Sequence, residues 1–132
     1  MQAVLADTGP LYALSDPSDQ YHARAREQMT RLGAEGYLVA VTYPTISETY
    51  TLVLSRLGAQ YAHGWIEQLL DGVVAINPEP GDYQKAILLV LSYPDQLITL
   101  FDALIAVLAE KMGRPVWSYD HHFDLMCAVR WD

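Results

Sequence analysis

Cysteine is nearly absent: the lone Cys127 excludes an internal disulfide and the small stapled scaffolds that depend on one. Basic side chains are scarce too, eight Lys and Arg against sixteen Asp and Glu, for a formal charge of −8. That balance argues against gripping nucleic acid by surface charge alone, unless several carboxylates converge on cations that reverse the local field. The longest apolar run, Ala103 to Ala109, is too short to span a bilayer. Met1 to Ala6 lacks a basic leader and its apolar stretch stops at Asp7, so it does not read as a signal peptide. The expectation is a soluble, cytoplasmic protein with no membrane association.

Other absences remove whole chemistries. No serine stands in a Gly-x-Ser-x-Gly turn, which argues against a hydrolase of that type. The histidines show no zinc spacing: His121 and His122 are expected on different faces of any regular element, and His22 and His63 read as solvated helix positions. Asp7-Thr8-Gly9 provides neither the paired acids of a receiver domain nor the Asp-x-Asp-x-Thr of a haloacid-dehalogenase-like phosphatase. There is no internal repeat or low-complexity linker. What remains is 132 residues, 52% of them hydrophobic, enough for one domain over residues 1–132 with a substantial core.

Short apolar runs alternate with helical periodicity. Ala3 to Ala6 reads as a buried strand, followed by a short helix near Pro10 to Leu14 and a second from Ser18 or Asp19 to Gly33, with Arg24, Gln28 and Arg31 on one face. Tyr37 to Thr42 is a second buried strand. Pro44 opens a helix whose Ile46, Tyr50, Val53, Leu54 and Leu57 recur at helical spacing up to Gly58. A helix over Ala59 to Leu70, a strand over Val73 to Ile76 and a helix over Asp82 to Ser92 follow. Asp102 to Met112 is apolar nearly all round, as in a buried helix. Pro115 to Tyr119 reads as a fourth strand, Asp120 to Met126 as a short helix and Ala128 to Trp131 as a possible fifth strand. The alternation predicts an α/β fold around a parallel sheet of four to five strands, with ligands bound outside the strands' carboxyl ends.

That rule singles out acidic positions. Asp7 follows the first strand and Asp120 the fourth, so both emerge at one sheet edge, although helix capping explains each equally well locally. Glu48 lies about 200 degrees round its helix from Ile46, off the apolar stripe, where a solvated glutamate is the ordinary reading. Asp102 completes a capping box with Thr99, yet it leads a buried helix, where an unpaired charge is costly. Converging carboxylates repel one another unless a cation sits among them, and an oxygen-only set suits Mg²⁺ or Mn²⁺.

Four segments in order, Val4-Leu5-Ala6-Asp7-Thr8-Gly9, Pro44-Thr45-Ile46-Ser47-Glu48, the stretch from Tyr93 to Ala106 around Asp102, and Val116-Trp117-Ser118-Tyr119-Asp120-His121-His122-Phe123, resemble the PIN domain, particularly the VapC-like toxins of bacterial and archaeal toxin–antitoxin pairs. The resemblance covers the whole chain. It implies a three-layer α/β/α sandwich and Mg²⁺- or Mn²⁺-dependent endonucleolytic cleavage of RNA. It also implies a catalytic and metal-binding set of Asp7, Glu48, Asp102 and Asp120, and, for the toxin branch, a homodimer inhibited by a cognate antitoxin. Thr8, Ser118 and Asp124 are candidate accessory groups, Asp124 as a fifth acid one helical turn beyond Asp120. A housekeeping RNA-processing PIN nuclease and a degenerate PIN binding module are the alternatives. The expected dimer uses the early helices and pools Arg24 and Arg31 along an RNA groove; solvation or pairing with Glu27 and Glu35 is the competing use of those arginines.

Overall fold

The computed structural model describes residues 2–131; Met1 and Asp132, the two ends of the expected domain, lie outside the described residues. Four strands, β1 (Ala3–Ala6), β2 (Leu38–Thr42), β3 (Val74–Ile76) and β4 (Val116–Trp117), form one sheet in the order β3-β2-β1-β4, with every pairing parallel. Its helices among the described residues are α1 (Thr8–Ser15), α2 (His22–Ala34), α3 (Tyr43–Leu57), α4 (Ala59–Gly72), α5 (Pro80–Leu91), α6 (Leu100–Met112) and α7 (His122–Leu125). None of them is long and apolar enough to cross a membrane.

Strand alternation separates two cores. Val4, Ala6, Val39, Val41 and Trp117 pack with Leu11 and Tyr12 of α1, Ala25 and Leu32 of α2, Val53 of α3 and Trp65 of α4. Leu5, Ala40 and Val116 point to the other face, against the apolar run of α6 and against Ala86, Phe123 and Met126. A sheet covered on both faces is what the uninterrupted apolar strands predict, and the result is the expected three layers.

Element ends shift where side chains claim backbone groups. Asp16 Oδ1 accepts from the Ser18 amide at 2.9 Å and Asp19 Oδ1 from the Tyr21 amide at 2.8 Å, so a turn occupies this stretch and α2 begins at His22, later than expected. Conversely, Glu79 and Asp82 form a capping box and α5 starts at Pro80, before the predicted Asp82. The fifth strand is a correction: only a single parallel bridge, Val116 to Arg130, forms there. Cys127 has φ 61°, a left-handed turn just before the segment, and it leaves room for one rung rather than a ladder.

The face bearing Arg24, Gln28 and Arg31 turns inward at its centre. Gln28 is buried, and its Oε1 accepts from Trp117 Nε1 at 2.9 Å and from the Tyr119 hydroxyl at 2.6 Å. Arg24 lies over the Tyr119 ring at 4.8 Å and Arg31 over the Trp131 ring at 4.4 Å, with Glu35 3.4 Å away. Both arginines are therefore stacked on aromatic faces.

Candidate metal centre at the carboxyl ends of the strands

In the order β3-β2-β1-β4 the chain moves one way from β1 to β3 and returns to the other side of β1 with β4. Such a reversal opens a crevice at the strands' carboxyl ends, between β1 and β4. Asp7 stands there as the first residue after β1, its amide donating to the Trp117 carbonyl at 3.0 Å. Its carboxylate caps α1 through the Thr8 amide (2.8 Å to Oδ1), so the capping reading holds. The other oxygen, Oδ2, accepts from the Ser118 hydroxyl at 2.8 Å, and Ser118 Oγ in turn accepts from the Asp120 amide at 3.0 Å. One hydroxyl thus fixes two acidic residues on neighbouring strands.

Glu48 arrives from α3, which Thr42 caps by accepting from the Thr45 amide at 3.1 Å. It is half-buried rather than solvated, because the Thr8 hydroxyl donates to its Oε1 across 40 residues of sequence. Thr49 holds Thr8 from the other side, its hydroxyl 3.1 Å away. Asp102 enters on the first turn of α6. Thr99 Oγ1 accepts from the Asp102 amide at 3.1 Å, so Thr99 supplies the cap.

These carboxylates share one field. Burial pushes Asp7 up to about 6, against the lowering effect of its bonds from Ser118 and the Thr8 amide, and the charges of Glu48 and Asp120 add to the rise. Asp102 is pushed up to about 8, first by burial, then by the charges of Asp7 and Asp120, with Thr99 opposing and Glu48 adding a little. Among the described residues no Lys or Arg forms an ion pair with any of the four: Lys111 pairs with Asp82 and Glu79, Arg31 with Glu35 and Arg130 with Asp124. A buried carboxylate cluster without a cationic partner is strongly destabilised when ionised.

A fifth donor escaped the sequence reading. One ligand atom each from Asp102, Asp120 and His122 lies within 4.8 Å of the others. His122 Nδ1 sits 3.0 Å from Asp120 Oδ1, yet it is buried and makes no hydrogen bond. An orphaned imidazole nitrogen among carboxylates is a donor set that fits a divalent cation. The expectation for the adjacent histidines is corrected: the rings of His121 and His122 lie 4.5 Å apart on the same side, because α7 is a single turn and His121 precedes it. The Asp-x-His spacing directly after a strand was the available signal. His22 also departs from the solvated reading, with Nδ1 2.7 Å from the Ala13 carbonyl, whereas His63 is exposed as expected.

Of the accessory candidates, Thr8 and Ser118 hydrogen-bond the acids themselves. Asp124 stands apart, exposed and paired in two contacts of 3.0 Å with Arg130 Nε and Nη2.

Comparison with known proteins agrees with this fold. The chain is similar to the crystal structure of VapC20 of Mycobacterium tuberculosis, a sarcin-ricin loop cleaving toxin, with 21% identity over 97% of this chain and 98% of that one and a TM-score of 0.84. It is similar to VapBC2 of Rickettsia felis, solved with a promoter DNA fragment, at 12% identity over 99% and 98% of the two chains and a TM-score of 0.78. VapBC-1 of nontypeable Haemophilus influenzae follows at 14% identity over 99% and 97%, with a TM-score of 0.71. No curated protein matches. A family model described as PIN domain matches residues 4–129, nearly the whole chain, and by that match together with the fold this protein belongs to the PIN domain family.

Proposed function

We propose that this protein is a metal-dependent endoribonuclease, the toxin of a toxin–antitoxin pair, which hydrolyses RNA phosphodiester bonds. The observation that carries the proposal is the convergence of Asp7, Glu48, Asp102 and Asp120 at the β1/β4 crevice, with two of them pushed far above the ordinary carboxylate range and, among the described residues, no Lys or Arg paired with any. A bound Mg²⁺ or Mn²⁺ would lower the pKa of an attacking water and offset the charge that builds on the scissile phosphate. Asp102 and Asp120 would hold the ion directly. Asp7 is kept in place by Ser118 and the Thr8 amide, and Glu48 by the Thr8 hydroxyl, so the cluster is preorganised by the hydroxyls of two of the accessory candidates.

Partners follow the same reading. A groove of about 760 Å³ between α1, α2 and α4, lined by Leu11, Leu14, Met29, Trp65 and Leu69, suits an apolar segment of the antitoxin. The VapBC assemblies among the structural relatives support a protein partner. For the homodimer, Leu88, Leu91 and Leu97 are 66%, 69% and 91% exposed on and after α5, a larger apolar surface than the early helices offer. Leu91→Glu with Leu97→Glu should then give a monomer in light scattering. The place of action is the cytoplasm, where a protein with a single free cysteine is stable.

The test is cleavage of single-stranded or loop RNA by purified protein with Mg²⁺ or Mn²⁺, abolished by chelator and by Asp102→Asn. Undiminished cleavage in excess chelator overturns the metal mechanism.

A further inference from the structure

An oxygen-only cluster leaves one atom of the site unexplained. His122 Nδ1 is buried and has no hydrogen-bond partner. Leaving such a group unsatisfied away from water is costly. Its position is well defined: the His122 amide donates to Asp120 Oδ1 at 2.9 Å, the next residue, Phe123, is fully buried, and the His121 ring packs alongside. The pair His122 and Asp120 has the spacing of neighbouring ligands on one ion. Two atoms bound at right angles at about 2.1 Å are about 3.0 Å apart, and opposite ones about 4.2 Å. His122 Nδ1 and Asp120 Oδ1 are 3.0 Å apart, and the set with Asp102 stays within 4.8 Å.

We propose that His122 is a nitrogen ligand of the divalent ion held by Asp102 and Asp120, and that it biases the centre toward a first-row transition ion over Mg²⁺. The assignment rests on the metal-dependent reading above. Mg²⁺ favours oxygen and retains its waters, whereas imidazole is a donor that transition ions accept readily. A mixed carboxylate and imidazole shell therefore discriminates where four carboxylates would not.

Titration calorimetry with Mn²⁺ and Mg²⁺, and pulsed electron paramagnetic resonance of the Mn²⁺-loaded protein, test this without RNA. The wild type should show ¹⁴N modulation from a coordinated imidazole and bind Mn²⁺ about tenfold more tightly than Mg²⁺. His122→Gln should lose the modulation and most of that ratio, its Mn²⁺ affinity falling more than its Mg²⁺ affinity. His121→Ala, which disturbs the same short helix, should retain both, and circular dichroism checks that each variant is folded. Bound Mn²⁺ without ¹⁴N modulation in the wild type overturns the assignment of His122 and leaves the metal-dependent nuclease standing. Absence of any Mn²⁺ binding overturns both.

Discussion

Carboxylates gathered for a cation should make the metal-free protein less stable as pH rises. Asp102 holds its proton up to about 8 in the folded chain, against an ordinary value of 3.8. Between those values the unfolded chain has released a proton that the folded chain keeps. Stability is then fully present below about pH 4 and falls by about 1.4 kcal/mol per pH unit until the folded group ionises. From pH 5 to 7 this amounts to about 3 kcal/mol for Asp102 and about 1 kcal/mol for Asp7, which is raised to about 6. Solvent at the mouth of the crevice screens part of the effect, which leaves roughly 2–4 kcal/mol. With about 2.1 cal/mol/K of unfolding entropy per residue, that is a fall in Tm of roughly 7–14 °C. The assay is a set of circular dichroism melts in chelator at pH 5, 6 and 7. Asp102→Asn, whose amide does not titrate, should flatten the slope by more than half and match or exceed the wild-type Tm at pH 7, since Thr99 still caps α6. Saturating Mn²⁺ should reverse the slope, because the ion competes with the protons. A wild-type Tm that is flat or rising in chelator, or an Asp102→Asn slope equal to the wild type's, refutes the reasoning.

Thr8→Val removes the donor to Glu48 and should lower RNA cleavage by about tenfold with little change in Tm, as read from kcat and melting together. Arg24 lies over Tyr119, next to Asp120, so Arg24→Ala should weaken RNA binding and reduce its salt dependence; Arg31→Ala, over Trp131 and paired with Glu35, should leave both unchanged in fluorescence anisotropy titrations. Gln28→Leu strands the buried Trp117 Nε1–H and should destabilise by about 1–3 kcal/mol in urea unfolding, and an unchanged midpoint would show that water replaces the amide.

The strands and their order of appearance were legible because a chain covered on both faces needs continuous apolar runs, and Val4 to Ala6 or Val39 to Val41 permit little else. Asp7 was legible for a related reason, since the residue after a buried strand must emerge at its end, and Asp120 comes three residues after β4 at the same edge. Glu48 was not legible locally. Helical periodicity places it off the apolar stripe, and only Thr8, distant in sequence, turns that face into a crevice wall; the family resemblance supplied what local spacing did not. His122 was hidden by a rule for regular elements applied to a helix of one turn. The late start of α2 was equally invisible to periodicity, because Asp16 and Asp19 hold the preceding turn through their own side chains.

The place of β4 beside β1 also sets a clock. Ser118 and Asp7 share a hydrogen bond across 111 residues of sequence; Asp102 lies near the late end of that interval and Asp120 just beyond it. At about 5–20 residues per second, a ribosome takes about 6–22 s to add the second half of the cluster after the first. Until β4 emerges and pairs with β1, the early carboxylates face no counterpart and the crevice has only one wall. On a nascent chain the four carboxylates therefore stay apart through most of synthesis, and the crevice that gathers them is among the last parts of the fold to close.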